Sequence, residues 1–229
     1  QPFVGSDLCK LGYDRSFEHL KKADLRQPLN EAADRSLVER NLGQSLLLND
    51  KERTAVRNTP FHLDLGGIGK GWCADRAAEM LQESFHVTKG IIDAGGGMRV
   101  WSDDEPWLVG IQSPFDEEKE LLQLVLRNAA VATSNVLHRR WVHEGKWVHH
   151  ILNGRTGLPT ETDIVQATVL GRSAAEAEVA AKVICMAGSE QLSDWMKAFF
   201  PGLGYIAVTR SGSIKINRRV YEYAERLAA

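Results

Sequence analysis

The chain has 229 residues, with 28 Lys and Arg against 30 Asp and Glu, so its formal charge is −2. That balance argues against a protein whose work is neutralising nucleic-acid phosphates, and no apolar run approaches the roughly 20 residues of a membrane span. Three cysteines (Cys9, Cys73 and Cys185), odd in number and in no CxxC pair, argue against a disulfide framework and a cysteine zinc site.

Taken along the chain, the opening stretch carries amphipathic helical patterns, with Leu8, Leu11, Phe17 and Leu20 in the first and Ala33, Leu37 and Leu42 in the second. "GQSLLLNDKERTAVRN" predicts a hairpin turning at Asn49-Asp50. A glycine-rich loop, Gly66 to Gly71, leads into the helix "WCADRAAEMLQESF". "GIIDAGGGMRVW" predicts a buried strand with three glycines in its course. "WLVGIQ" and "ELLQLVLRN" predict strands around an acidic loop, and "RRWVHEGKWVHHIL" a hairpin with Glu144-Gly145 at its tip. The strand "IVQATVLG" precedes a helix over 173–187, a second helix "EQLSDWMKAFF", and a closing hairpin "GYIAVTRSGSIKINR". Hairpins mixed with helices predict an α+β fold, a mixed or antiparallel sheet with packed helices. No linker divides residues 1–229, which read as a single domain.

Chemistry-bearing residues gather in a few places. In "LDLGGIGKG" a strand ends, glycines permit close backbone approach, Lys70 is presented and a helix begins, an arrangement suited to an anion. It is not a Walker A loop, because Asp64 stands where the first glycine is needed and Gly71 where Ser or Thr would bind magnesium. The bland alternative is a glycine turn before a surface helix. The run Gly95 to Gly97 marks a second close approach, to a flat ligand or to another backbone. His138, His143, His149 and His150 cluster without HExxH or CxxC company, and alternation sends His149 and His150 to opposite faces. His150 stands out, because "HILNGRTG" runs from it into a tight turn and a strand-end histidine suits general base work. Ser173-Ala-Ala-Glu176 is a capping box. The helix that it opens is apolar on most sides except for Glu178 and Lys182, a charged stripe that faces either a cleft or water.

Together these segments resemble the FAD:protein FMN transferases, the ApbE flavin transferase family. "LDLGGIGKGWCADRAAEML" is similar to the family's DLGGIAKGYAVDRAAELL, "DAGGGMRVW" to N-A-G-G-D-I-R, and "WLVGIQSP" to W-x-V-G-I-x-x-P. "AAVATSNVLHRRW" resembles A-V-A-T-S-G-x-Y-x-R, and "HILNGRTGLPT" resembles H-I-I-D-P-R-T-G-x-P. "ATVLGRSAAEAEVAAKVICMAG" follows T-V-x-x-x-x-A-x-x-A-D-A-L-A-T-A-x-x-x-M-G. Order and spacing hold from about Val4 to Gly188. The resemblance implies a T-fold-like architecture and an enzyme that cuts FAD, moves its FMN part onto a Thr or Ser hydroxyl of a partner protein and releases AMP. A flavin-binding paralogue without catalysis and an FAD pyrophosphatase giving FMN and AMP are the alternatives. The resemblance places Asp64, Gly67, Lys70, Thr133, Ser134 and Ile151 around the FAD and makes His150 the base for the acceptor hydroxyl. It also implies magnesium, with Gly67 offering a carbonyl.

Departures fall where that metal would bind. Glu178 stands at the family's metal-binding aspartate and Lys182 at its metal-binding threonine, which removes a neutral oxygen ligand and supplies an ammonium. The family's D-P-R-T-G is Asn153-Gly154-Arg155-Thr156-Gly157, and its A-T-S-G ends in Asn135. "QPFVGSDLCKLGYDRSF" resembles an internal family segment, so the expectation is a chain without the family's N-terminal part. With no signal and no lipobox, the expected location is cytoplasmic, or that of an exported lipoprotein if a missing N-terminus carries the signal.

Overall fold

The computed structural model describes residues 4–15, 17–20, 46–58 and 63–228. In chain order the elements are α1 (Gly5–Lys10), α2 (Phe17–Leu20), β1 (Leu46–Asn49), β2 (Thr54–Arg57), α3 (Gly69–Glu83), β3 (Lys89–Asp93) and β4 (Gly97–Ser102). Then come β5 (Trp107–Gln112), β6 (Glu120–Leu126), β7 (Asn128–Asn135), β8 (Arg140–His143), β9 (Lys146–His149) and β10 (Ile164–Gly171). The chain continues with α4 (Ala174–Phe199), β11 (Gly204–Thr209), β12 (Ile214–Ile216), a 3-10 turn (Arg218–Glu222) and β13 (Ala224–Ala228). The α+β class is as expected, and all strand pairs are antiparallel. The helical pattern at Ala33, Leu37 and Leu42 lies outside the described residues. Two compact units divide the chain, Gln1–Leu65 with Arg139–Thr160, and Gly66–His138 with Glu161–Ala229.

In the first unit, β1 and β2 form the expected hairpin, with the Asn49 side chain accepting the Lys51 and Glu52 N–H groups at 3.2 Å. The β8–β9 hairpin turns at Glu144 and Gly145, both at positive φ (49° and 74°), as a two-residue turn between right-twisted strands requires. Its core is Leu8, Leu11, Trp141, Val148 and Leu152, and the Trp141 indole donates to the Leu11 carbonyl at 2.6 Å.

The second unit is built on a six-stranded sheet ordered β12-β11-β10-β7-β4-β3. A three-stranded sheet, β13-β6-β5, accompanies it. Leu124 and Leu126 share a core with Val100, Val131, Leu170 and Ile206, which fills the space between the two sheets. Alternation along β7 turns Ala130, Ala132 and Ser134 to the opposite face, where Ala130 meets Ala74 of α3 and Ala174 of α4. Small residues at that seam let both helices lie close to the sheet. β10 is buried throughout, and its two polar side chains, Gln166 and Thr168, are hydrogen-bonded, Gln166 with Asn135 and Thr168 with Thr133.

Two expectations change. "GIIDAGGGMRVW" is a hairpin rather than one strand: β3 and β4 pair from Lys89–Ser102 to Asp93–Met98, and Gly95 and Gly96 make the turn at φ 74° and 105°. Only glycine takes both values without strain. The hairpin β11–β12 does not close the fold either, because β13 follows and pairs with β6. That last strand, "AERLA", carries little apolar alternation, so its pattern gave no signal.

Candidate functional site

The helix pair α3–α4 in the second unit assembles a charged site from backbone upward. Gly71 sits where α3 touches both α4 and β4. A Cβ built on Gly71 would lie 2.7 Å from the Ala175 nitrogen, and one built on Gly97 would lie 3.4 Å from the Gly71 Cα. The third glycine of the triplet thus serves an approach of backbone to backbone.

α4 is held against α3 at its first turn. Ser173 caps it by accepting the Glu176 N–H at 3.2 Å, the expected half of the capping box. The Asp75 carboxylate of α3 accepts from the Ala174 and Ala175 N–H groups at 2.8 and 3.1 Å and from the Ser173 hydroxyl at 2.8 Å. Arg99 approaches the same carboxylate at 3.6 Å. Asp75 therefore meets orphan donors at a helix start, where an anion is favoured.

One turn further along α4, Glu178 is 3% exposed. Its Oε1 accepts from Lys70 Nζ at 2.8 Å and from Lys182 Nζ at 3.2 Å, and its Oε2 accepts from the Gly71 N–H at 2.9 Å. The charged stripe on α4 thus faces α3. Burial is the largest single influence on Glu178 and pushes its carboxyl up. The hydrogen bonds from Lys70 and Gly71 and the lysine charges together outweigh it, holding Glu178 below the usual glutamate value. Lys182 goes down from the ordinary lysine value, chiefly through burial and against the pull of Glu178. The Lys182 stem lies along the glycine loop, with its Cδ and Cε 3.8 and 3.9 Å from where a Gly67 Cβ would be. Two ammonium groups on one carboxylate leave the cluster with a net charge of +1.

This donor set does not fit a divalent cation. No group of three or more His, Cys, Asp or Glu residues that could hold a metal ion occurs among the described residues. Glu178 already accepts three hydrogen bonds, two of them from ammonium groups. A divalent cation about 4 Å from one ammonium is repelled by about 8 kcal/mol at an effective dielectric constant of about 20.

Of the residues singled out from the sequence, Gly67, Lys70, Glu178 and Lys182 come together. Ser134 shares the helix-facing side of β7, and its carbonyl lies 3.8 Å from the Cys185 sulfur. Thr133 points to the other side, its hydroxyl 2.8 Å from that of Thr168. Asp64, His150 and Ile151 belong to the first unit. There His149 Nδ1 accepts the Ile151 N–H at 3.2 Å, so its Nε2 carries the proton donated to the Thr160 carbonyl at 2.9 Å. His150 Nδ1 lies 3.4 Å from the Arg139 carbonyl. Asn153 opens the turn after them, its side chain accepting the Arg155 N–H at 2.9 Å. Asp75 was not singled out, because it reads as ordinary helix content until the partner helix is in place, and Gly71 was read only as the end of the glycine loop.

The second unit is thus an antiparallel α+β unit in which a glycine loop and a helix pair bring two ammonium groups to one buried carboxylate. The chain belongs to the ApbE family, whose model matches residues 10–207. A FAD:protein FMN transferase of Treponema pallidum is 27% identical over 216 residues, 86% of this chain and 56% of that protein. One of Klebsiella pneumoniae is 29% identical over 152 residues, 65% of this chain and 47% of that protein. The crystal structure of the ApbE protein from Thermotoga maritima aligns with a TM-score of 0.73 at 26% identity, covering 97% of this chain and 71% of that one. This chain spans about half the length of the curated relatives it matches.

Proposed function

We propose that this protein binds FAD and transfers its FMN part to a Thr or Ser hydroxyl of an acceptor protein, releasing AMP. The observation that carries the reading is the lysine pair on Glu178 beside the Gly66–Gly71 loop, which presents net positive charge and glycine backbone to a diphosphate. Names of the relatives support FAD as the substrate. In the step, the acceptor oxygen attacks the phosphorus on the FMN side. A new P–O bond forms, the diphosphate bridge breaks, AMP leaves with the bridging oxygen, and the hydroxyl proton passes to the His150 imidazole. Lys70 and Lys182 stabilise charge on the phosphoryl oxygens, the main service that a phosphoryl-transfer site provides. His150 in this role rests on the motif resemblance.

The test is incubation of the protein with FAD and a cell extract. Denaturing electrophoresis then reads covalent flavin fluorescence on proteins, and chromatography reads AMP. AMP formed in step with protein-bound flavin is the expected result. AMP with free FMN and no labelled protein makes the enzyme a pyrophosphatase, and flavin binding without AMP makes it a binding paralogue.

A further inference from the structure

From the geometry around Glu178 we infer that the site takes the FAD diphosphate without a divalent cation, the Lys182 ammonium standing in as a fixed cation. This rests on the FAD reading and adds to it how the diphosphate charge is met. Lys182 does not hang free in solvent. Its ammonium is 3.2 Å from a buried carboxylate, its stem lies along Gly67, and its side chain is only 23% exposed. Lys70, on the same carboxylate at 2.8 Å, is 40% exposed. Glu178 in turn is fixed by the Gly71 N–H and by its place one turn beyond the Asp75-held start of α4. The carboxylate here orients two ammonium groups, using its lone pairs on them rather than on a metal.

Ammonium groups held in this way bring their charge to the diphosphate without a metal having to bind first. An added divalent ion meets repulsion from both lysines, and free magnesium competes by pairing with the FAD diphosphate in solution. Magnesium therefore leaves FAD affinity unchanged or lowers it.

The experiment titrates metal-stripped protein with FAD, and with riboflavin as the probe without a diphosphate, in excess EDTA and in millimolar magnesium. Wild type is expected to bind FAD in EDTA at least as well as in magnesium. Lys182→Ala is expected to weaken FAD binding in EDTA by about tenfold, the loss of one charge-assisted hydrogen bond, with riboflavin binding unchanged. Lys182→Arg, which keeps the charge, is expected to retain most of the affinity, and circular dichroism spectra of both variants check the fold. Glu178→Asp with Lys182→Thr is expected to make FAD binding depend on magnesium. Loss of wild-type FAD binding in EDTA with recovery in magnesium overturns the inference and leaves the FAD reading standing. Equal FAD affinity of wild type and a folded Lys182→Ala overturns the assignment to Lys182. Absence of FAD binding under both conditions overturns the FAD reading, and this inference with it.

Discussion

At the scale of single residues, Glu178 decides what the site is. A buried carboxylate survives only when its lone pairs are used, and here Lys70, Lys182 and Gly71 use them. Glu178→Gln keeps the shape but leaves two ammonium groups facing each other, at a cost of about 1–3 kcal/mol at neutral pH, measured by urea unfolding. The pH dependence has a definite sign. The folded Glu178 carboxyl lies below its ordinary value of 4.5, so the unfolded chain takes up the proton first as pH falls. Its contribution is complete above 4.5 and is lost as pH falls through the folded value. The stability gap between wild type and Glu178→Gln is therefore expected to narrow on acidification below 4.5, and a gap that widens refutes the ion-pair account. About two helix turns further along α4, Cys185 behaves in the opposite way. Burial pushes its thiol up to about 12, while Cys9 and Cys73 are exposed. Ellman's reagent at pH 8 is expected to label Cys9 and Cys73 quickly and Cys185 only on unfolding, because the thiolate is the reactive form.

At the scale of elements, the join between α3 and α4 sets the register of the site. Asp75 satisfies α4's first donors, and Gly71 lets α3 come close enough for that to happen. Asp75→Ala removes three hydrogen bonds at a helix start and is expected to cost about 2–4 kcal/mol. Because Glu178 lies one turn downstream, FAD affinity should fall too, and a variant that is destabilised but binds FAD normally would separate the cap from the site. The same join shows how far the sequence could be read. Ser173 and Glu176 announced the start of α4, and Gly188, at φ 72° and ψ 171°, breaks that helix where two were expected. The hairpins at Asn49 and Glu144 carried their own turn residues. The Gly95–Gly97 hairpin was read as one strand because its apolar residues flank the glycines without interruption. β13 was missed because its pairing with β6 is long-range and leaves little local pattern. In the site, Lys70, Glu178 and Lys182 were legible one by one, through a glycine loop and a lone charged stripe. Their meeting on a single carboxylate was not, since it depends on the angle at which the helices pack.

At the scale of the whole molecule, the residues proposed for diphosphate binding and for proton transfer fall in different compact units, so their variants can be tested separately. Lys70, Glu178 and Lys182 lie in the unit built on the six-stranded sheet, whereas His150 lies with the β8–β9 hairpin. If His150 is the base, its service is confined to the transition state, so His150→Ala should leave FAD affinity within a few-fold. The single-turnover transfer rate should fall by about 10²–10⁴, the usual contribution of a general base. His149 is a poor control, because both of its ring nitrogens are used, on the Ile151 N–H and the Thr160 carbonyl. His149→Ala is expected to loosen the turn that follows it and to lower activity through disorder. Lys146→Ala, on the same hairpin, is the better control and should retain the wild-type rate. Added imidazole distinguishes the two histidines further. A missing base at position 150 can be replaced in part by a diffusible one, so the His150→Ala rate should rise with imidazole concentration. A loosened turn has no such remedy, and His149→Ala should not respond. If His150→Ala keeps its transfer rate, or loses FAD affinity in proportion to rate, His150 is not the base and the hydroxyl proton leaves by another route.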